Sequence, residues 1–97
     1  MRHFFRTQLT PAEVLKIADV FFPTLPLERS AHTARSRTFN GLLGTLQLSV
    51  KKEGGHYTFV EINTDQVGES RLDRNAKRFF VELHRKQDPS HKLEAAY

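Results

Sequence analysis

Apolar residues recur along this chain with two different periods, and the points where the period changes divide it into elements. Residues 2–9 (Arg-His-Phe-Phe-Arg-Thr-Gln-Leu) carry aromatic and β-branched types and predict a short strand suited to a sheet edge. Thr10, Pro11 and Glu13 then give a helix start: an N-cap hydroxyl, a proline at the first helical position and the acidic partner of a capping box. Leu9 and Val14 are spaced for a hydrophobic staple. Val14, Ile17, Ala18 and Phe21 share one helical face, widened by Leu15 and Phe22. Pro23 ends that helix, and Pro26 keeps the following connection extended.

Residues 32–64 change to a period of two. Asn40-Gly41 and Glu53-Gly54-Gly55 are hairpin signals, so this stretch predicts three antiparallel strands. Leu46, Leu48 and Val50 alternate with Thr45, Gln47 and Ser49. A three-residue loop over 53–55 pairs Leu48 with Val60 and keeps the apolar set on one face, whereas a loop one residue shorter or longer splits it. On that register Ala34 and Ser36 join the apolar face. Arg35, Arg37, Phe39, Gln47, Lys51, Tyr57, Phe59 and Glu61 turn to the other.

A second helix is predicted from Glu69 to Lys86, with Leu72, Ala76, Phe79, Phe80 and Leu83 on one face. Arg71, Arg74, Arg78 and Arg85 fall on nearly the opposite face. Asp73 stands one turn from Lys77, and Glu82 one turn from Arg78 and Lys86, so this face reads as ion-paired. The expected fold is therefore α+β in the order β-α-β-β-β-α, an antiparallel sheet with two amphipathic helices packed on one face. One domain over residues 1–86 is expected, followed by a polar C-terminal tail over 87–97.

Composition narrows the function classes. At 97 residues the chain suits one domain. With no cysteine it cannot use a disulfide framework, thiolate zinc, thiol catalysis or iron–sulfur ligation. No apolar run exceeds three residues, which excludes a helical membrane span and a signal-peptide core. A cytoplasmic protein with no membrane partner is the expectation. The net charge of +4 and pI near 9.8 bring nucleic acid into consideration. The excess is spread evenly, however, since residues 1–65 and 66–97 each carry +2, and no basic run exceeds two residues.

The sheet face away from the helices is the first candidate working surface. Its predicted interaction residues are Arg35, Arg37, Phe39, Lys51, Tyr57 and Phe59, more aromatic surface than a solvated face carries. Three readings compete. A second copy of the chain covers the face as a homodimer; unpaired bases stack on the aromatics while Arg and Lys hold phosphates; or a different register puts the aromatics inside. The segment Tyr57-Thr58-Phe59-Val60-Glu61-Ile62, after Gly54-Gly55, resembles the aromatic strand of the RNA-recognition motif. It departs from that family at His56 and in lacking a strand after the second helix, so the family is not assigned.

Other chemistry has less to stand on. The arginines 71, 74, 78 and 85 are candidate phosphate contacts, spanning about 21 Å of helix. The doublets Phe4/Phe5, Phe21/Phe22 and Phe79/Phe80 either fill the core or line an apolar ligand cavity between helices and sheet. His3, His32, His56, His84 and His91 show no metal spacing. No nucleophile elbow or Walker loop occurs, and no metal or cofactor is expected. The residues thus favour a small interaction or binding domain that homodimerises through its sheet. Single-stranded RNA on the same face is the alternative, and a small apolar ligand the next.

Overall fold

The computed structural model describes residues 1–87. β1 (Arg2–Thr7) leads into α1 (Pro11–Phe21), a single 3-10 turn (Phe22–Thr24), β2 (Leu27–Thr33), β3 (Ser36–Gly41), β4 (Gly44–Glu53), β5 (Tyr57–Thr64) and α2 (Arg71–Gln87). The fold is α+β: one antiparallel sheet with both helices on the same face. The strand order is β1-β5-β4-β3-β2, so the first strand closes against the last and β1 and β2 form the edges. The tail expected over 87–97 falls, apart from Gln87, outside the described residues.

Local chemistry sets the first helix. The Glu13 amide donates to Thr10 Oγ1 at 3.2 Å, and the Thr10 amide donates to Glu13 Oε1 at 3.0 Å, a complete capping box. The α-helix gives way to the 3-10 turn after Phe21, because Pro23 has no amide proton to continue the helical bonding. The buried stripe of α1 (Val14, Leu15, Ala18) meets that of α2 (Leu72, Ala76, Phe79, Leu83) over Leu46, Leu48, Val50, Val60 and Ile62. Phe22 is the centre of this core, with its ring 5.0 Å from Phe39 and 4.9 Å from Phe79. Each such ring contributes about 2–3 kcal/mol through burial. The space between helices and sheet is occupied by these side chains.

Four strands, not three, lie between the helices. Residues 27–33, expected to be mostly a connection, form the extra edge strand β2, in which only Leu27 is buried. Such a strand has no apolar alternation to read, because every residue after Leu27 is exposed. A bulge between Arg29 and Ala31 interrupts its pairing with β3, a common way for an exposed edge to resist further strand addition.

The two hairpin registers differ from expectation in opposite ways. Between β4 and β5 the loop is residues 54–56, one residue later than expected, so Leu48 pairs with Ile62 and Val50 with Val60. Gly54 and Gly55 both adopt positive φ there. The slide is two residues, which leaves every side chain on its expected face. Between β3 and β4 the turn is Leu42-Leu43, flanked by the pair Gly41 and Gly44, not Asn40-Gly41. A two-residue turn opposes odd positions of β3 to even positions of β4. Phe39 therefore pairs with Leu46, and Arg37 with Leu48, on the helix side. The placement of Arg35, Arg37 and Phe39 on the outer face is thus corrected: Phe39 is a core residue, Arg37 reaches α1, and Arg35 lies in the β2–β3 turn beside Lys16 and Asp19.

Gly41 explains why its turn signal misled. A β-carbon on it would stand 2.0 Å from the Pro26 carbonyl oxygen, so glycine serves a close crossing of β2 and β3 there. The Asn40 side chain, free of turn duty, accepts from Thr45 Oγ1 at 2.6 Å on the open face.

Candidate functional site

The outer face of the sheet is covered by no element among the described residues. Pairing of β1 with β5 places Arg6 opposite Phe59 and Phe4 opposite Glu61. These residues form a continuous strip. The Phe4 and Phe59 rings are 5.9 Å apart; the Arg2 guanidinium lies 5.5 Å from the Phe4 centroid, and that of Arg6 lies 5.0 Å from Phe59. Each arginine also meets a carboxylate, Arg2 with Glu61 at 3.0 Å and Arg6 with Glu53 at 2.9 Å. Cation–π contacts at such exposed positions are worth about 0.5–1 kcal/mol each, and the ion pairs no more than that. They orient the side chains more than they stabilise the fold. The Asn63 amide, and Arg2 after it, hold the Glu61 carboxyl below the usual carboxylate range.

Of the six residues expected on this face, Lys51, Tyr57 and Phe59 are there, with Tyr57 46% exposed. Arg2, Phe4 and Arg6 take the places that Arg35, Arg37 and Phe39 were expected to fill, and Phe4 is 55% exposed. The alternation of β1, polar-aromatic-polar at 2, 4 and 6, was the available signal. What sequence could not supply was which strand β1 would join. Beyond the aromatic strip, the face continues as a hydroxyl and amide surface through Gln47, Ser49, Ser36, Thr38 and Asn40. The register puts three cations on the face (Arg2, Arg6, Lys51) and three carboxylates (Glu28, Glu53, Glu61), so its net charge is zero.

The arginine row of α2 divides. Arg85 pairs with Glu82 at 3.8 Å. Arg71, Arg74 and Arg78 line one depression with Asn75 and Leu25, and none of the three has a carboxylate within ion-pair distance among the described residues. The expected partner Asp73 faces inward, and Lys77 pairs instead with Glu69 at 3.6 Å.

Asp73 is the centre of a cluster that sequence reading did not find. Its carboxylate, 1% exposed, accepts from Ser70 Oγ (2.6 Å), Thr64 Oγ1 (2.8 Å) and His3 Nε2 (2.8 Å). Ser70 also accepts the Asp73 amide at 3.0 Å, so the same pair caps α2. Burial pushes the Asp73 carboxyl upward, but the bonds from Ser70, His3 and Thr64 and the charge of His3 outweigh it, leaving the pKa below the ordinary value. All three donors are spent on the carboxylate. The cluster ties β1, β5 and α2 together, and it resembles a structural latch more than a reacting centre.

Compared with protein-family models and with curated proteins, the sequence matches none.

Proposed function

We propose that this chain is a non-catalytic association domain whose working surface is the open sheet face, and that a second copy of the chain covers it. The observation that carries this reading is the Phe4–Phe59–Tyr57 strip: Phe4 and Tyr57 are about half-exposed and flank the partly buried Phe59, on a face that no element of the described chain covers. Aromatic surface of this kind is characteristic of contact patches. Balanced, interspersed charge suits a twofold contact, because a copy rotated onto the face meets no block of its own sign.

Single-stranded nucleic acid is the competing occupant of the same rings, and charge weighs against it. A strand needs a positive groove for its phosphates, whereas the cations here are matched in number by carboxylates. Arg2 and Arg6 also lie over the Phe4 and Phe59 rings, where bases would stack.

Sedimentation velocity across micromolar concentrations tests the reading. The wild-type chain is expected to sediment as a dimer, and Phe59→Asp as a folded monomer by circular dichroism. A wild-type chain that stays monomeric at the highest concentration, or a Phe59→Asp chain that still dimerises, overturns it.

A further inference from the structure

We infer that Arg71, Arg74 and Arg78 of α2, with Asn75 and Leu25, form a binding site for a phosphate group, separate from the sheet face. Among the described residues, five of the nine arginines (Arg2, Arg6, Arg29, Arg37 and Arg85) have a carboxylate within 4 Å; these three and Arg35 do not, and only these three stand together on one helix. They stand at steps of three and four, so their side chains rise from one helix face over about 10 Å of axis. Like charges one turn apart repel, and a helix that places them so without an acidic neighbour loses stability. The nearest acids do not offset them: Asp73 is turned inward by Ser70, Thr64 and His3, and Glu82, one turn beyond Arg78, pairs with Arg85 at 3.8 Å. A bound oxyanion would.

The second observation is Asn75, which is 8% exposed on the flank of the row. Its Oδ1 accepts from Arg78 Nη1 at 3.0 Å, and its Nδ2 donates to the Arg71 carbonyl at 2.8 Å. A buried amide thus fixes one guanidinium before any ligand arrives, which lowers the entropy lost on binding. The depression these residues line is about 390 Å³, room for a phosphate and part of what carries it, with Leu25 as an apolar wall. Guanidinium matches phosphate in bidentate geometry, and three of them suit a dianionic phosphomonoester. That group occurs both on soluble metabolites and on the headgroup of phosphatidic acid.

The test is calorimetric titration of inorganic pyrophosphate into the full chain at low ionic strength, with co-sedimentation on phosphatidylcholine vesicles made with and without phosphatidic acid. Saturable one-to-one binding of pyrophosphate is expected, weakened at least about tenfold by Arg74→Glu. Arg85→Glu, the same change in charge on the same helix, should alter it less than about twofold. Phe59→Asp should leave it unchanged, which separates this site from the sheet face. Pyrophosphate binding without vesicle binding assigns a soluble phosphate; phosphatidic-acid-dependent sedimentation lost in Arg74→Glu assigns the headgroup. Binding to neither, equal loss in the Arg74 and Arg85 variants, or binding only to oligothymidylate overturns the proposal.

Discussion

His3 and Asp73, seventy positions apart, meet at 2.8 Å between Nε2 and Oδ1, and this contact pins the first strand to the start of the last helix. Asp73→Asn keeps the shape but replaces an anion that takes three hydrogen bonds, two of them from hydroxyls. The variant should lose about 1–3 kcal/mol of stability at neutral pH, read from urea midpoints. The folded pKa of Asp73 lies below its unfolded value, so this stabilisation is fully present above about pH 4 and fades as pH falls through the folded value. The gap between wild type and Asp73→Asn should therefore narrow on acidification. A gap of constant size from pH 6 down to the acid transition would contradict the assignment.

Phe39 and Phe4 separate core from surface. Phe39→Ala empties a fully buried site packed by Phe22 and should destabilise by about 3–5 kcal/mol in thermal or denaturant unfolding. Phe4→Ala should cost the monomer no more than about 1 kcal/mol. Similar losses for the two would mean that both rings lie on one side of the sheet.

Glycine substitution reads the hairpin geometry. Gly41→Ala forces a β-carbon into the Pro26 carbonyl and should cost about 1–3 kcal/mol or more, since backbone must move. Gly54→Ala meets nothing within 4 Å and bears only the strain of φ +59°, about 1 kcal/mol. Equal midpoints for the two variants would refute the close crossing of β2 and β3.

Asp19 bridges two arginines on neighbouring strands, Arg37 at 2.9 Å and Arg29 at 3.3 Å, and so clamps α1 to the sheet. Only 13% of the Arg37 side chain is exposed, so Asp19, with the Thr33 and Ser36 carbonyls, takes the place of water around its guanidinium. Asp19→Asn should cost about 1–2 kcal/mol at low salt. Added salt should shrink the difference, because the pair is partly solvated. A difference indifferent to salt would point to packing in place of charge.

How far the fold could be read in advance follows from where its information lies. The start of α1 is local: Thr10, Pro11 and Glu13 bond within one turn, and the structure has the box they predict. The faces of β4 and β5 were also readable, because Leu46, Leu48 and Val50 alternate and a two-residue slide does not turn them over. Edge strand β2 was not, since an exposed strand leaves no apolar pattern. Half of the candidate face was misassigned by one turn. Placing Ala34 and Ser36 on the face of Leu46 and Leu48 requires an odd-length connection, whereas the two-residue turn Leu42-Leu43 sets odd positions of β3 beside even positions of β4.

By itself, then, the order of residues determined the class of fold, the two amphipathic helices and the absence of cysteine chemistry, all properties of composition and short-range period. Tertiary structure alone decided which strand Arg2, Phe4 and Arg6 would join, that Asp73 would turn inward, and that Arg71, Arg74 and Arg78 would stand together without an acid among the described residues. The physical reason is one of range. Backbone bonding and side-chain periodicity act over a few residues, whereas charge pairing and strand partnership are settled between segments that only folding brings within a few ångströms.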